Sequence, residues 1–150
     1  MKAQFEILKS TRNNFSKLIS SFSLEELNVV PEGFNNSLAW NYAHSVVTLQ
    51  LLVYGLSGNE MKVSKELVDK FRKGTKASPV SQAELEELKV LAISTIDDLE
   101  KDYVSGLFTE YKEYPTSYGY VLTSVESAIS FNNIHEGVHF GYALAMKKSL

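Results

Sequence analysis

Apolar residues return every three or four positions along four long stretches of this chain, and that period constrains the fold most. In the first stretch Phe5, Leu8, Phe15, Leu18, Ile19 and Phe22 fall on one helical face. Ser23 with Glu26 has the spacing of a capping box and predicts a short extra turn. Pro31 and Gly33 interrupt the chain, and Asn36 or Ser37 can cap a second helix through Trp40, His44, Val47 and Leu51, ending near Gly55 and Gly58. A third begins at the box Ser81/Glu84 and buries Leu85, Leu88, Ala92, Ile96, Leu99 and Tyr103. A fourth is expected from about Tyr120 to Lys147, with Lys147 and Lys148 suiting its C-terminal dipole.

No stretch alternates in the manner of a strand. The expected fold is therefore all-α: a four-helix bundle with helices of roughly 20 to 28 residues. The connection between the second and third helices is long. It carries a short helix from about Ser64 to Phe71, then loop signals at Gly74 and Pro79. Connections of this length inside a compact domain are often functional. The stretch Gly106 to Gly119, with Pro115 and four aromatic rings, reads as a loop packed on the bundle end.

At 150 residues the chain is one domain, 1–150, with length enough for one sizeable core. Apolar residues are 44% and charged residues 22%, which excludes general disorder. Fifteen cations against eighteen anions, a net charge of −3, disfavour nucleic acid as a partner. The longest uncharged run, Gly33 to Asn59, holds Asn, Ser, His, Thr and Gln and predicts no membrane span. Cysteine is absent, which removes thiolate ligands and a Cys nucleophile and suits a reducing cytoplasm, the expected location.

The chain has three histidines, His44, His135 and His139. His135 and His139 are four apart, about 40° apart around a helix, so their imidazoles stand one above the other. His44 lies in the middle of the second helix and can supply a third nitrogen. Three buried imidazoles need partners for their ring nitrogens, and one divalent cation satisfies all three while leaving a position open for water or substrate. His135-Glu136-Gly137-Val138-His139 also spells H-E-x-x-H, the pattern in which two His bind zinc and Glu is the general base of a metalloprotease. That enzyme class takes a third ligand downstream. Here only Phe140 to Leu150 follow, without His, Asp or Glu, so the third ligand is expected upstream at His44.

Trp40-Asn41-Tyr42-Ala43-His44 followed by His135-x-x-x-His139-x-Gly141 resembles the DinB-like superfamily. Pro31-Glu32-Gly33-Phe34-Asn35-Asn36-Ser37 and Phe71-Arg72-Lys73-Gly74-Thr75 look similar to it too, and the element order follows it along nearly the whole chain. The resemblance implies a four-helix bundle, often dimeric, with one divalent metal on three histidines. Zinc or nickel are the foremost candidates, with iron, manganese and cobalt also accepted by such ligands. It implies either a thiol-dependent transferase or a hydrolase acting on a small molecule. The alternative is a metal-binding or stress-related interaction module without turnover. The family's Gln after the Gly following the last His is Tyr142 here.

Around the metal, Glu136 is a candidate general base or acceptor for an imidazole N–H, and Asn132 a candidate hydrogen-bonding partner. Trp40 reads as a core anchor, and Tyr142 as a core residue with its hydroxyl near the site. Gly137, Gly141 and Ala145 form a small-residue strip that either packs on the first helix or meets a second copy in a homodimer. The basic stretch Lys62 to Lys76 reads as a solvated face able to attract an anionic cosubstrate. With no Cys in the chain, a thiol nucleophile would come from a low-molecular-weight thiol.

Overall fold

The computed structural model describes residues 1–150. Helix α1 spans Lys2–Ile19, α2 Leu24–Asn28, α3 Leu38–Gln50, α4 Lys65–Phe71, α5 Gln82–Val104 and α6 Val125–Met146. The long helices α1, α3, α5 and α6 pack as an all-α bundle. No helix is long and apolar enough to cross a membrane.

The helix starts follow side-chain chemistry. Ser23/Glu26 and Ser81/Glu84 both close full capping boxes. Ser37, rather than Asn36, caps α3 by accepting from the Trp40 N–H. Ser64 does the same for Leu67 at α4. α3 does not stop at Gln50 but continues as one π-helical turn, Leu51–Gly55. Such turns recur where a helix must re-aim side chains near a site.

Two expectations are corrected. α6 starts at Val125, not Tyr120, because Ser124 and Ser127 cap each other and the chain before them is extended. The preceding segment is a small antiparallel hairpin, β1 (Tyr114–Pro115) with β2 (Val121–Leu122). Two-residue strands are too short to show alternation in a sequence. The aromatic loop before the hairpin does pack on the bundle end: Tyr111 donates to Leu52 O at 2.9 Å, and Phe108 meets Tyr54 edge-on at 5.2 Å.

The interior has two apolar clusters. One gathers Phe15, Leu38, Val46, Leu88 and Ala92; the other gathers Phe5, Leu8, Leu49, Ile96 and Ile129. Between them lies a polar layer. Arg12 occupies an inward position of the α1 stripe between Leu8 and Phe15 and is fully buried. Its guanidinium donates through Nε to Glu136 Oε2 at 3.0 Å and through Nη2 to Glu136 Oε1. It also reaches Ala92 O at 3.2 Å and Ser45 O at 3.3 Å. The planar fork suits a carboxylate and two carbonyls at once, so the buried charges are paired and hydrogen-bonded.

Candidate metal centre

α3 and α6 lie side by side and bring the three histidines together. One nitrogen from each ring lies within 4.8 Å of the other two. Ring centroids are 4.5 Å apart for His135–His139, 4.7 Å for His44–His139 and 5.2 Å for His44–His135. The i, i+4 step on α6 brings two rings side by side at an interplanar angle of 56°, and His44 faces them from α3.

The protein orients two of these rings through the nitrogen away from the cluster. His44 Nδ1 donates to Phe71 O at 2.7 Å, and His139 Nδ1 donates to Asn41 Oδ1 at 2.8 Å. A carbonyl and an amide oxygen only accept, so both rings carry the proton on Nδ1 and leave Nε2 unprotonated. This is the outer support that metal-ligating imidazoles commonly have. Thr48 Oγ1 sits 3.2 Å from His44 Nε2 and can donate to it. His135 Nδ1 is buried and has no protein partner at all. Two preset tautomers and one orphaned nitrogen among converging neutral donors fit a divalent ion with three nitrogen ligands.

Burial holds the rings neutral. Desolvation pushes His135 down to about 3, aided by the nearby His139, His44, Arg12 and Lys73. It lowers His139 to about 4, with His44 contributing, and it also lowers His44, where the Phe71 carbonyl opposes it and Lys73 adds to it. Neutral imidazole is the form that binds metal.

The triad borders a cavity of about 670 Å³. Trp40, Thr48, Leu51, Leu52, Phe131 and Val138 contribute to its wall. Two connections reach it: Lys73 and Gly74 after α4, and Tyr114 to Tyr118 of the hairpin region. Trp40 is a core residue, as expected. It also stacks on His44 at 4.5 Å with an 11° interplanar angle, fixing that ligand's plane.

Other expected site residues lie elsewhere. Glu136 is fully buried, with both carboxylate oxygens committed to Arg12, and does not line the cavity. A general-base role is not available to it there. Asn132 is also fully buried and donates to Glu136 Oε1 at 2.9 Å, so it belongs to the same polar layer. On α6 the 100° step from His135 carries Glu136 into the bundle while the histidine faces the cavity. Tyr142 is largely exposed and meets Phe34 at 5.0 Å, away from the cavity wall. Gly137, Gly141 and Ala145 do not pack on α1: all three are exposed, and a Cβ at either glycine would meet nothing within 4 Å.

Sequence reasoning missed Arg12 and Asn41 as parts of the site's support, and it reached Lys73 only as one member of the basic stretch Lys62 to Lys76. Arg12 had a visible signal, a cation within the apolar stripe Phe5, Leu8, Phe15, Ile19. Asn41 had none, and nothing set Lys73 apart from the other cations of its stretch, because both roles depend on neighbours distant in the chain.

Fold and site together define an all-α bundle with a three-imidazole centre between two of its helices, opening on one cavity. The sequence profile of the DinB superfamily matches residues 7–143. The chain belongs to that superfamily. Among solved structures, it is similar to a conserved protein from Enterococcus faecalis, with a TM-score of 0.69 at 12% identity over 96% of this chain and 92% of that one. That likeness concerns the fold. No curated protein matches the sequence.

Proposed function

We propose that this chain is a divalent-metal-dependent enzyme acting on a small organic molecule, with His44, His135 and His139 as the metal ligands. Convergence of three neutral imidazoles within 4.8 Å beside a large cavity carries the reading. Zinc or nickel are the metals we favour for an all-nitrogen donor set. A bound divalent ion would supply Lewis acidity, polarising a substrate oxygen or lowering the pKa of a water or thiol.

The chain's own residues would do the rest. Phe71 O and Asn41 hold two rings in register, and Trp40 keeps the His44 plane. Leu51, Leu52 and Phe131 exclude water from one side of the cavity, and Thr48 offers a hydroxyl beside His44. The chain contains no Cys, so in a thiol-dependent transfer the sulfur nucleophile would enter as a low-molecular-weight thiol, in keeping with a cytoplasmic setting. Hydrolysis would use water in the same place. The assembly we favour is a homodimer built on the outer face of α6.

Elemental analysis of untagged protein, purified without added metal, tests the reading. One divalent ion per chain, lost in His135→Ala, is expected. A metal-free protein whose melting temperature ignores added zinc and nickel would overturn it. A retained metal with no exchangeable water would favour a binding module without turnover.

A further inference from the structure

Charge around the cavity is one-sided. Its wall contains one permanent cation, Lys73, and no Asp or Glu. The nearest carboxylate on α6, Glu136, faces inward and is neutralised by Arg12. The three imidazoles are neutral. A divalent ion held by them would therefore meet no compensating protein charge.

Lys73 is also placed rather than adrift. The segment that carries it is fastened to α3 on both sides. Phe71 O accepts from His44 Nδ1 at 2.7 Å, and Trp40 Nε1 donates to Thr75 Oγ1 at 3.0 Å. Thr75 Oγ1 in turn donates to Arg72 O at 2.9 Å, and Gly74 at φ +90° makes the tight turn. Three nearby cations are engaged, Lys70 with Glu84 at 2.6 Å, Lys62 with Asp102 at 3.5 Å and Arg72 with Asp69 at 3.9 Å, and Lys76, which has no carboxylate partner, lies off the cavity wall. Lys73 has no carboxylate partner. It is an exposed ammonium at the rim of a half-apolar cavity.

We propose that the cavity takes a small organic carboxylate with an apolar body, and that Lys73 is the residue that selects the carboxylate. The apolar body lies against Leu51, Leu52, Leu56 and Phe131, where burial supplies affinity without discrimination. The carboxylate meets Lys73, which discriminates by charge. A neutral analogue forgoes that pairing, and a cationic one is repelled. The proposal rests on the metal-centre reading for the cavity's role, but Lys73 would act with or without the ion.

Calorimetric titration of the full chain, zinc-loaded and chelator-treated, tests this with phenylpropionate, phenylpropanol and phenylpropylamine as probes. The acid should bind about tenfold more tightly than the alcohol, a typical advantage for a charge-assisted contact, and the amine should bind weakest. Lys73→Gln should abolish the acid's advantage and leave alcohol binding unchanged. Lys73→Arg should retain it, as should Lys76→Gln, which removes a cation off the wall. Equal binding of acid and alcohol overturns the proposal, and so does failure of the acid to bind. An acid preference that needs zinc but survives Lys73→Gln also overturns it, since the ion alone would then be the receptor. A chain that holds no zinc yet prefers the acid through Lys73 defeats the metal reading and leaves this one standing.

Discussion

A single α6 step separates two chemistries. His135 faces the cavity with an orphaned ring nitrogen, whereas Glu136 points into the bundle against Arg12. Removing one member of a fully buried ion pair strands the other, which costs about 3–5 kcal/mol. Glu136→Ala should lose that much stability in denaturant titration while metal stoichiometry, measured on the folded fraction, stays at the wild-type value. Loss of metal without loss of stability would instead place Glu136 at the centre. The histidines predict a pH dependence for the metal-free chain. Their folded pKa values are depressed from 6.5, to about 3 for His135 and about 4 for His139. As pH falls below 6.5 the unfolded chain takes up protons that the folded chain refuses. Stability is thus fully present above that pH and declines down to about 4 for the His139 contribution and about 3 for that of His135, by up to about 1.4 kcal/mol per pH unit per histidine. Melting curves in chelator should show this slope, shallower in His135→Phe. Superimposable profiles would make the ring a bystander.

Helices α3 and α6 deliver the three histidines, and their ends decide how accurately. Ser37 is almost fully buried and holds the Trp40 N–H at the start of α3. Ser37→Ala should cost about 1–2 kcal/mol, because it removes a cap and leaves a buried donor unpaired. Ser37→Asp should recover most of it, as read by thermal melting. The segment after α4 is fastened through side chains of α3, so Trp40→Phe cuts its link to Thr75 while keeping an aromatic ring beside His44. Proteolysis of the native protein should then speed up selectively between residues 71 and 80. An unchanged cleavage pattern would show that the Phe71–His44 bond alone holds the segment.

On the scale of the whole molecule, the outer face of α6 stands apart. Ile134, Gly137, Val138, Gly141, Tyr142 and Ala145 present no charge to solvent, and Ile134 and Val138 are each about half exposed, at 55% and 51%. An uncharged strip with glycines at its centre allows close approach of a second helix. Light scattering should therefore give about twice the 16.8 kDa chain mass, and Gly141→Glu should return the protein to one chain. A Cβ at that exposed position meets nothing within 4 Å, so the substitution should leave folding of the single chain unaffected. A wild-type mass of one chain at high micromolar concentration would remove the dimer.

Local chemistry was legible in the sequence wherever a residue's role depends on neighbours within one turn. Helical periods, the boxes at Ser23 and Ser81, the cap at Ser37 and the His135–His139 pair are all interactions of residues three or four apart. The histidine triad was legible because its members were the chain's only imidazoles. The hairpin before α6 was not, because two-residue strands carry no period. The direction of Glu136 was misread because a 100° step from His135 on a helix admits either the site or the core, and a partner 124 positions away in sequence, Arg12, chose the core. Asn41 behind His139, the exposure of the Gly137–Gly141 strip and the lone cation on the cavity wall were likewise decided only by packing. Each depends on which helix lies alongside which, and no local period in the chain encodes that.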